Sequence, residues 1–234
     1  MKRVILLLLL LIFYSRGVYS QQVSIGFQLG TGTYSMSQLK TINDLVKHDL
    51  PFDTKTVANF PPFLNYSAAF LIRTGIVNTG LVYTFQSTGS RVSGKDYSGE
   101  YRFDMVIYSS APGIYCAIDL LQQDKLLISF YSVFGTLFSN LKTSEFLRIQ
   151  ETRIMDETLK FKDFNFFAEP GFYISRPVKF LNIGFNAGYS IQFGNQSFYY
   201  RGNKNIKLVN PVTGNPVKPG WNGLRAGLSA FYTF

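Results

Sequence analysis

The feature that most constrains this chain is a strict two-residue alternation that recurs along it. Ile183, Phe185, Ala187, Tyr189, Ile191 and Phe193 alternate with Asn182, Gly184, Asn186, Gly188, Ser190 and Gln192. Successive side chains of a β-strand point to opposite faces, so such a run has one apolar face and one small, polar face. The C-terminal run repeats the pattern, with Leu224, Ala226, Leu228, Ala230, Tyr232 and Phe234 set against Arg225, Gly227, Ser229 and Thr233. Similar rows occur over 23–30, 66–73, 80–86 and 163–174, and 126–138 is apolar on both faces. The segment from Tyr101 to Asp119 is too long for one register. Its apolar positions change from odd (Phe103, Met105, Ile107) to even (Ile114, Cys116, Ile118), which predicts a bulge at Pro112-Gly113. Eight strand candidates result, and the fold class is all-β.

The gaps between them alternate in length. They run long at 35–63, short around Gly75, long at 87–99, short at 120–125, long at 139–160, short at 176–179 and long at 195–221. That rhythm predicts an eight-stranded antiparallel up-and-down transmembrane barrel, with tight periplasmic turns, long extracellular loops and both ends of the mature chain in the periplasm. A soluble lipocalin-like barrel would bury its apolar rows and place Lys and Glu outside. Here only 16% of residues are charged, 17% are aromatic and mean hydropathy is +0.07. The polar faces carry mainly Gly, Ser, Thr, Asn and Gln. Lys40, Lys47, Lys55, Arg91, Lys95, Lys142, Arg201, Lys204 and Lys207 sit in the gaps. The apolar rows therefore meet lipid and the small polar rows fill a narrow lumen.

The chain starts with Lys2-Arg3, an apolar run from Val4 to Tyr14 and the small-residue site Val18-Tyr19-Ser20. A run this short does not span a bilayer, which needs about 20 residues. It predicts a signal peptide over 1–20, cut after Ser20, with the barrel domain over 21–234. Loss of Lys2, Arg3 and Arg16 lowers the formal charge from +9 to +6. At the other end, Leu224, Leu228, Tyr232 and the terminal Phe234 look like the C-terminal signal read by the barrel assembly machinery. No further domain is then expected after the barrel.

Glu169-Pro170-Gly171-Phe172-Tyr173-Ile174, a short turn, and Asn182-Ile183-Gly184-Phe185-Asn186-Ala187-Gly188-Tyr189 resemble a late hairpin of the PorT-like outer-membrane β-barrel proteins of Bacteroidetes. The resemblance implies an eight-stranded barrel in the outer membrane of a Gram-negative cell. Some members of that family serve protein secretion and gliding machinery, and the resemblance carries over no catalytic residue.

Little else in the chain bears chemistry. One cysteine, Cys116, allows no internal disulfide and is expected to be a buried, inert thiol. One histidine excludes a His-based metal site, and no metal or cofactor is expected. His48-Asp49 is the one acid–base pair containing histidine, but no serine is tied to it, so a lipid-modifying Ser–His enzyme is a weak alternative. Gly30-Thr31-Gly32 lies on a strand with no helix behind it and is no phosphate loop. Asn65-Tyr66-Ser67 and Asn195-Gln196-Ser197 match a sequon that a bacterial envelope does not generally read. The basic loops are expected to meet outer-membrane lipid and anionic lipopolysaccharide rather than nucleic acid. In the first long loop, Ser35-Met36-Ser37-Gln38 fits a capping box, and Met36, Leu39, Ile42, Leu45 and Val46 fall at helical spacing. That stripe predicts a lid on the barrel mouth or, second, a docking surface for a protein partner in loop 35–63.

Eight strands enclose a space about filled by side chains, which disfavours an open pore. The expected function is therefore non-enzymatic, a structural or interaction role through the extracellular loops, in the setting of a secretion or surface assembly. Narrow porin-like transport of a small solute is the alternative. If the strands close in order, Arg73 faces Glu169 across the lumen and Asp104 faces Arg225, which predicts two ion pairs blocking the bore.

Overall fold

The computed structural model describes residues 22–49, 54–97, 99–123 and 125–234. The expected signal peptide, its expected cleavage site after Ser20 and the expected helix stop at Pro51 lie outside the described residues. Eleven strands and one helix follow in order: β1 (Gln22–Gly32), α1 (Ser37–Asp49), β2 (Lys55–Asn59), β3 (Phe63–Thr74), β4 (Val77–Lys95), β5 (Gly99–Gln123), β6 (Leu126–Ile149), β7 (Thr152–Val178), β8 (Leu181–Phe193), β9 (Tyr199–Tyr200), β10 (Asn203–Lys207) and β11 (Gly223–Thr233). No helix among the described residues is long and apolar enough to cross a membrane.

Eight of the strands form a closed antiparallel ring in the order β1-β3-β4-β5-β6-β7-β8-β11, and β11 returns to β1. The seam pairs Ser24 with Thr233 through to Gly32 with Arg225. Closure leaves no exposed edge at the level where all eight strands pair. The short strands β2, β9 and β10 decorate one end and were not legible as strands. At the lower end lie the tight turns after Thr74 and Val178, the end of β5 at Gln123 and the start of β6 at Leu126, together with the first and last described residues. Gly75 and Lys179 supply the positive φ such turns need. The upper end carries α1, β2, β9 and β10.

The outward face of the ring is apolar. Ile25, Phe27, Leu29, Leu81, Ile114, Phe134, Phe172, Phe185 and Leu228 all stand exposed. The orientation of β6, unreadable from sequence, is set by Phe130, Phe134 and Phe138 outward and Tyr131, Val133 and Leu137 inward. β8 presents outward apolar groups from Ile183 to Phe193, and at about 3.3 Å per residue and a tilt near 40° this covers about 25 Å, the height of a hydrocarbon band. Stacked rings mark its upper limit, with Tyr66 on Phe85 on Tyr108, and Phe138, Phe164, Phe166 and Phe193 continuing around. Phe180, Tyr232 and Phe234 mark the lower limit. Leu224, Leu228, Tyr232 and Phe234 all lie on this exposed outer face at β11.

Three expectations need correction. The gaps 87–99 and 139–160 are not loops. β4 continues to Lys95 and β5 begins at Gly99, and β6 and β7 continue to Gln150–Glu151. Above the aromatic ring their outer face turns polar (Arg91, Arg102, Lys142, Lys160) while the inner face is apolar (Val92, Tyr101, Met105, Leu141, Phe161). Charge thus marked the height at which the outer face changes character, not the end of the strand. The bulge at Pro112-Gly113 is also absent, since β4 and β5 keep one register from Val77–Ile118 to Lys95–Glu100. The apolar positions change parity because the interior itself changes from apolar to polar as β5 descends from its upper turn. Pro112 has no N–H, and β5–β6 pairing lapses there without a shift; the real irregularity falls between Asp119 and Leu121. Finally, Cys116 is exposed on the apolar outer wall rather than buried.

The capping-box side chains serve another purpose. Ser35 donates from Oγ to the Gly220 carbonyl at 3.0 Å, and Gln38 Oε1 accepts from the Lys218 N–H at 2.6 Å. The Met36 N–H also reaches the Gly220 carbonyl, at 3.1 Å. A Cβ on Gly220 would strike the Met36 backbone, so glycine permits this approach. The first and last upper segments are thereby stapled together.

Candidate functional site

The interior of the ring has two regions with different chemistry. Above, an apolar cluster fills the mouth. Met36, Leu39 and Ile42 at α1 point down into it, with Tyr34 and Phe60 from the same stretch and Phe198, Val217 and Trp221 from the last one. They pack against Met105, Ile107, Leu137, Leu141 and Phe161 of the long strands. Trp221 is fully buried, and its ring meets Tyr34 edge-on at 5.1 Å. Its indole N–H donates to Ser139 Oγ at 2.9 Å, so this buried polar group is satisfied. The helical stripe is therefore a lid, buried in the mouth.

Beneath the plug the lumen is polar. Gln28, Asn65, Tyr131, Glu169, Asn186 and Arg225 border a cavity of about 50 Å³. A second, of about 60 Å³, lies lower between Ser24, Arg73, Asn78, Ser129, Ser175 and Asn182. Among the described residues, Asn65 Nδ2, Asn186 Oδ1, Tyr173 OH and Ser175 Oγ are buried without a hydrogen-bond partner. Such polar, roomy spaces suit water.

Arg225 holds the plug to this lumen. It enters from β11, and Gly32 opposite leaves room for its guanidinium. Nη1 donates to the Thr33 carbonyl at 2.7 Å, Nη2 donates to the Trp221 carbonyl at 2.9 Å, and the guanidinium lies 4.6 Å over the Tyr34 ring. One side chain thus clamps the end of β1 to the segment before β11. Glu169 shares the cavity with Arg225 and accepts from Tyr131 OH at 3.3 Å.

The two expected ion pairs do not form. Arg73 points into the lumen, but it binds Asp119 at 2.6 Å, with Gln122 and the Gly75 carbonyl as further acceptors. Asp119 also accepts from Asn78 at 3.1 Å and from Ser129 at 2.6 Å. The nearest carboxylate along the wall, two strands away, takes the arginine before Glu169 across the bore can. Asp104 faces outward and binds Arg91 at 2.6 Å and Arg102 at 3.4 Å. Without a bulge in β5 its even positions stay outside, so Asp104 cannot meet Arg225 in the lumen. Instead Arg225 and Glu169, assigned to different pairs by sequence, face the same cavity. The signal for that lay in their both being on polar faces of strands joined to β8.

Outside the bore, the long hairpins carry their own polar contacts. Tyr101 OH donates to Glu145 at 3.0 Å, and burial together with the Glu145 charge raises its phenol well above the ordinary range, so it remains a donor. Arg148 pairs with Glu100 at 2.8 Å. His48 stands exposed in the last turn of α1, where a basic group suits the helix dipole. No group of three His, Cys, Asp or Glu side chains suited to a metal occurs among the described residues.

No protein-family model matches the chain, and no curated protein matches it. Solved structures do. Ail, the attachment invasion locus protein of Yersinia pestis, aligns with 11% identity over 92% of this chain and 97% of its own, at a TM-score of 0.40. A major outer membrane protein from Thermus thermophilus aligns with 14% identity over 92% of this chain and all of that one, at a TM-score of 0.53. At such identity this second likeness speaks to the fold alone, and it sets the closed ring among the architectures of outer-membrane β-barrel proteins.

Proposed function

We propose that this chain is a non-enzymatic eight-stranded barrel of the outer membrane that stays shut and works through what it presents above the bilayer. The observation that carries this is the plug. Tyr34, Met36, Leu39, Phe198 and Trp221 fill the mouth, and Arg225 ties their segments to the wall. The hairpins β4–β5 and β6–β7 rise roughly 25 Å beyond the aromatic ring, taking about 3.3 Å per residue along tilted strands. They form a one-sided wall with a charged outer face, suited to a structural or interaction role. The likeness of the β7–β8 hairpin to PorT-like proteins suggests a secretion or surface assembly as the setting. With the stripe of α1 buried, a partner at loop 35–63 would meet the polar side of the helix.

Reconstitution in a planar bilayer tests the closed state. A plugged barrel gives no unitary conductance from the purified protein, and a steady ion current would favour the alternative of narrow solute transport. Crosslinking from intact outer membranes then identifies what the wall touches; recovery of the barrel alone would count against an assembly role.

A further inference from the structure

β8 leaves the edge of β7 after the pair Phe166–Phe193, and β9 rejoins it at Lys162–Tyr199. Between them the wall has a notch. It is an open cleft of about 470 Å³, floored by Phe164 and bordered by Asn195, Gln196, Ser197 and Tyr199, with Lys204 and Lys207 above. Phe164 is also one of the rings marking the upper limit of the apolar belt. The cleft therefore opens where hydrocarbon gives way to headgroups.

Its surroundings are basic without compensation. Lys162 lies beside it, paired with the bordering Tyr199, and Lys142 and Lys160 lie directly opposite each other on the adjoining outer face of β6 and β7. Like charges in cross-strand register repel. Among the described residues none of these five lysines pairs with a carboxylate, whereas Arg91 and Arg102 at the β4–β5 wall share Asp104. Lys218 donates to Asn195 Oδ1 at 2.6 Å, which leaves the Asn195 amide N–H groups for another acceptor.

We propose that this notch binds the headgroup of a phosphorylated glycolipid of the outer leaflet. The assignment rests on the membrane-barrel reading above. Acyl chains would run down the rings of Phe164 and Phe166, phosphate would meet Lys162, Lys204 and Lys207, and sugar hydroxyls would meet the amides of Asn195 and Gln196 beside Tyr199. Lysines bind phosphate as point charges, and amides and aromatic rings suit a sugar.

Native mass spectrometry of the detergent-solubilised protein with added bisphosphorylated lipid A tests it. The wild type should hold this lipid at least tenfold more tightly than its dephosphorylated form or phosphatidylglycerol. The triple variant K162Q/K204Q/K207Q should lose at least tenfold, K162R/K204R/K207R should keep affinity within threefold, and K40Q/K47Q on α1 should bind as wild type. Equal affinity for phosphatidylglycerol, full displacement by millimolar inorganic phosphate, or wild-type binding by the triple glutamine variant would each overturn the proposal. A heat-modifiable gel band reports folding of every sample. A folded wild type that binds no lipid A refutes this inference alone, while a wild type without that band refutes the barrel reading and this inference with it.

Discussion

Two arginines show how burial decides what an ion pair is worth here. The Asp119 side chain is 1% exposed and Arg73 is its cationic partner, while Arg91 is half exposed over Asp104. Removing one member of a buried pair leaves the other charge without its partner, at a cost of about 3–5 kcal/mol, whereas an exposed pair contributes about 0–1 kcal/mol. We therefore expect Arg73→Ala to lower stability by about 3–5 kcal/mol and Arg91→Ala by no more than about 1 kcal/mol, as read by urea unfolding from lipid vesicles. Similar losses from the two variants would contradict the burial argument. Trp221→Ala should cost about 3–5 kcal/mol by leaving a cavity in the plug, and Trp221→Phe should cost less, because it keeps most of the volume and loses the bond to Ser139. An alanine variant as stable as the wild type would mean that the plug contributes little to the fold.

At the scale of elements, alternation located all eight ring strands, because a pleated strand with an apolar outer face and a narrow polar lumen must alternate its side chains. It failed where the two faces exchange character. Above the ring of Tyr66, Phe85, Phe138 and Phe164 the inside is apolar and the outside polar, so the parity of β5 inverted without any change in its backbone. That inversion produced both the false bulge and the false lumenal placement of Asp104. The lid helix was legible from its stripe, but its tie to the last segment was not, since Ser35 and Gly220 lie 185 residues apart. The orientation of the hairpins can be checked on whole cells. Trypsin added outside should cut beside the Gln150–Glu151 turn, where Arg153 is exposed. Protection there until the cells are permeabilised would place this end of the ring in the periplasm. Deleting Phe234 should sharply reduce assembled protein at the surface, since the outer row Leu224, Leu228, Tyr232 and Phe234 would lose its terminal ring; unchanged surface levels would remove the case for a β-signal.

The whole molecule is lopsided, with strands of 11 to 13 residues from β8 through β11 and β1 to β3, and of 19 to 27 residues from β4 to β7. The tall side supplies most of the wall around the plug, and the short side supplies the segments that fill it. Those segments grow from β1 and β11, the two strands whose meeting closes the ring. Arg225 on β11 grips the carbonyl that follows β1, so the contact that seals the mouth is made by the same residues that join the seam. The consequence is a shared dependence: seal and seam rest on one guanidinium, so the mouth of the ring and the upper end of its closing pair hold or loosen together.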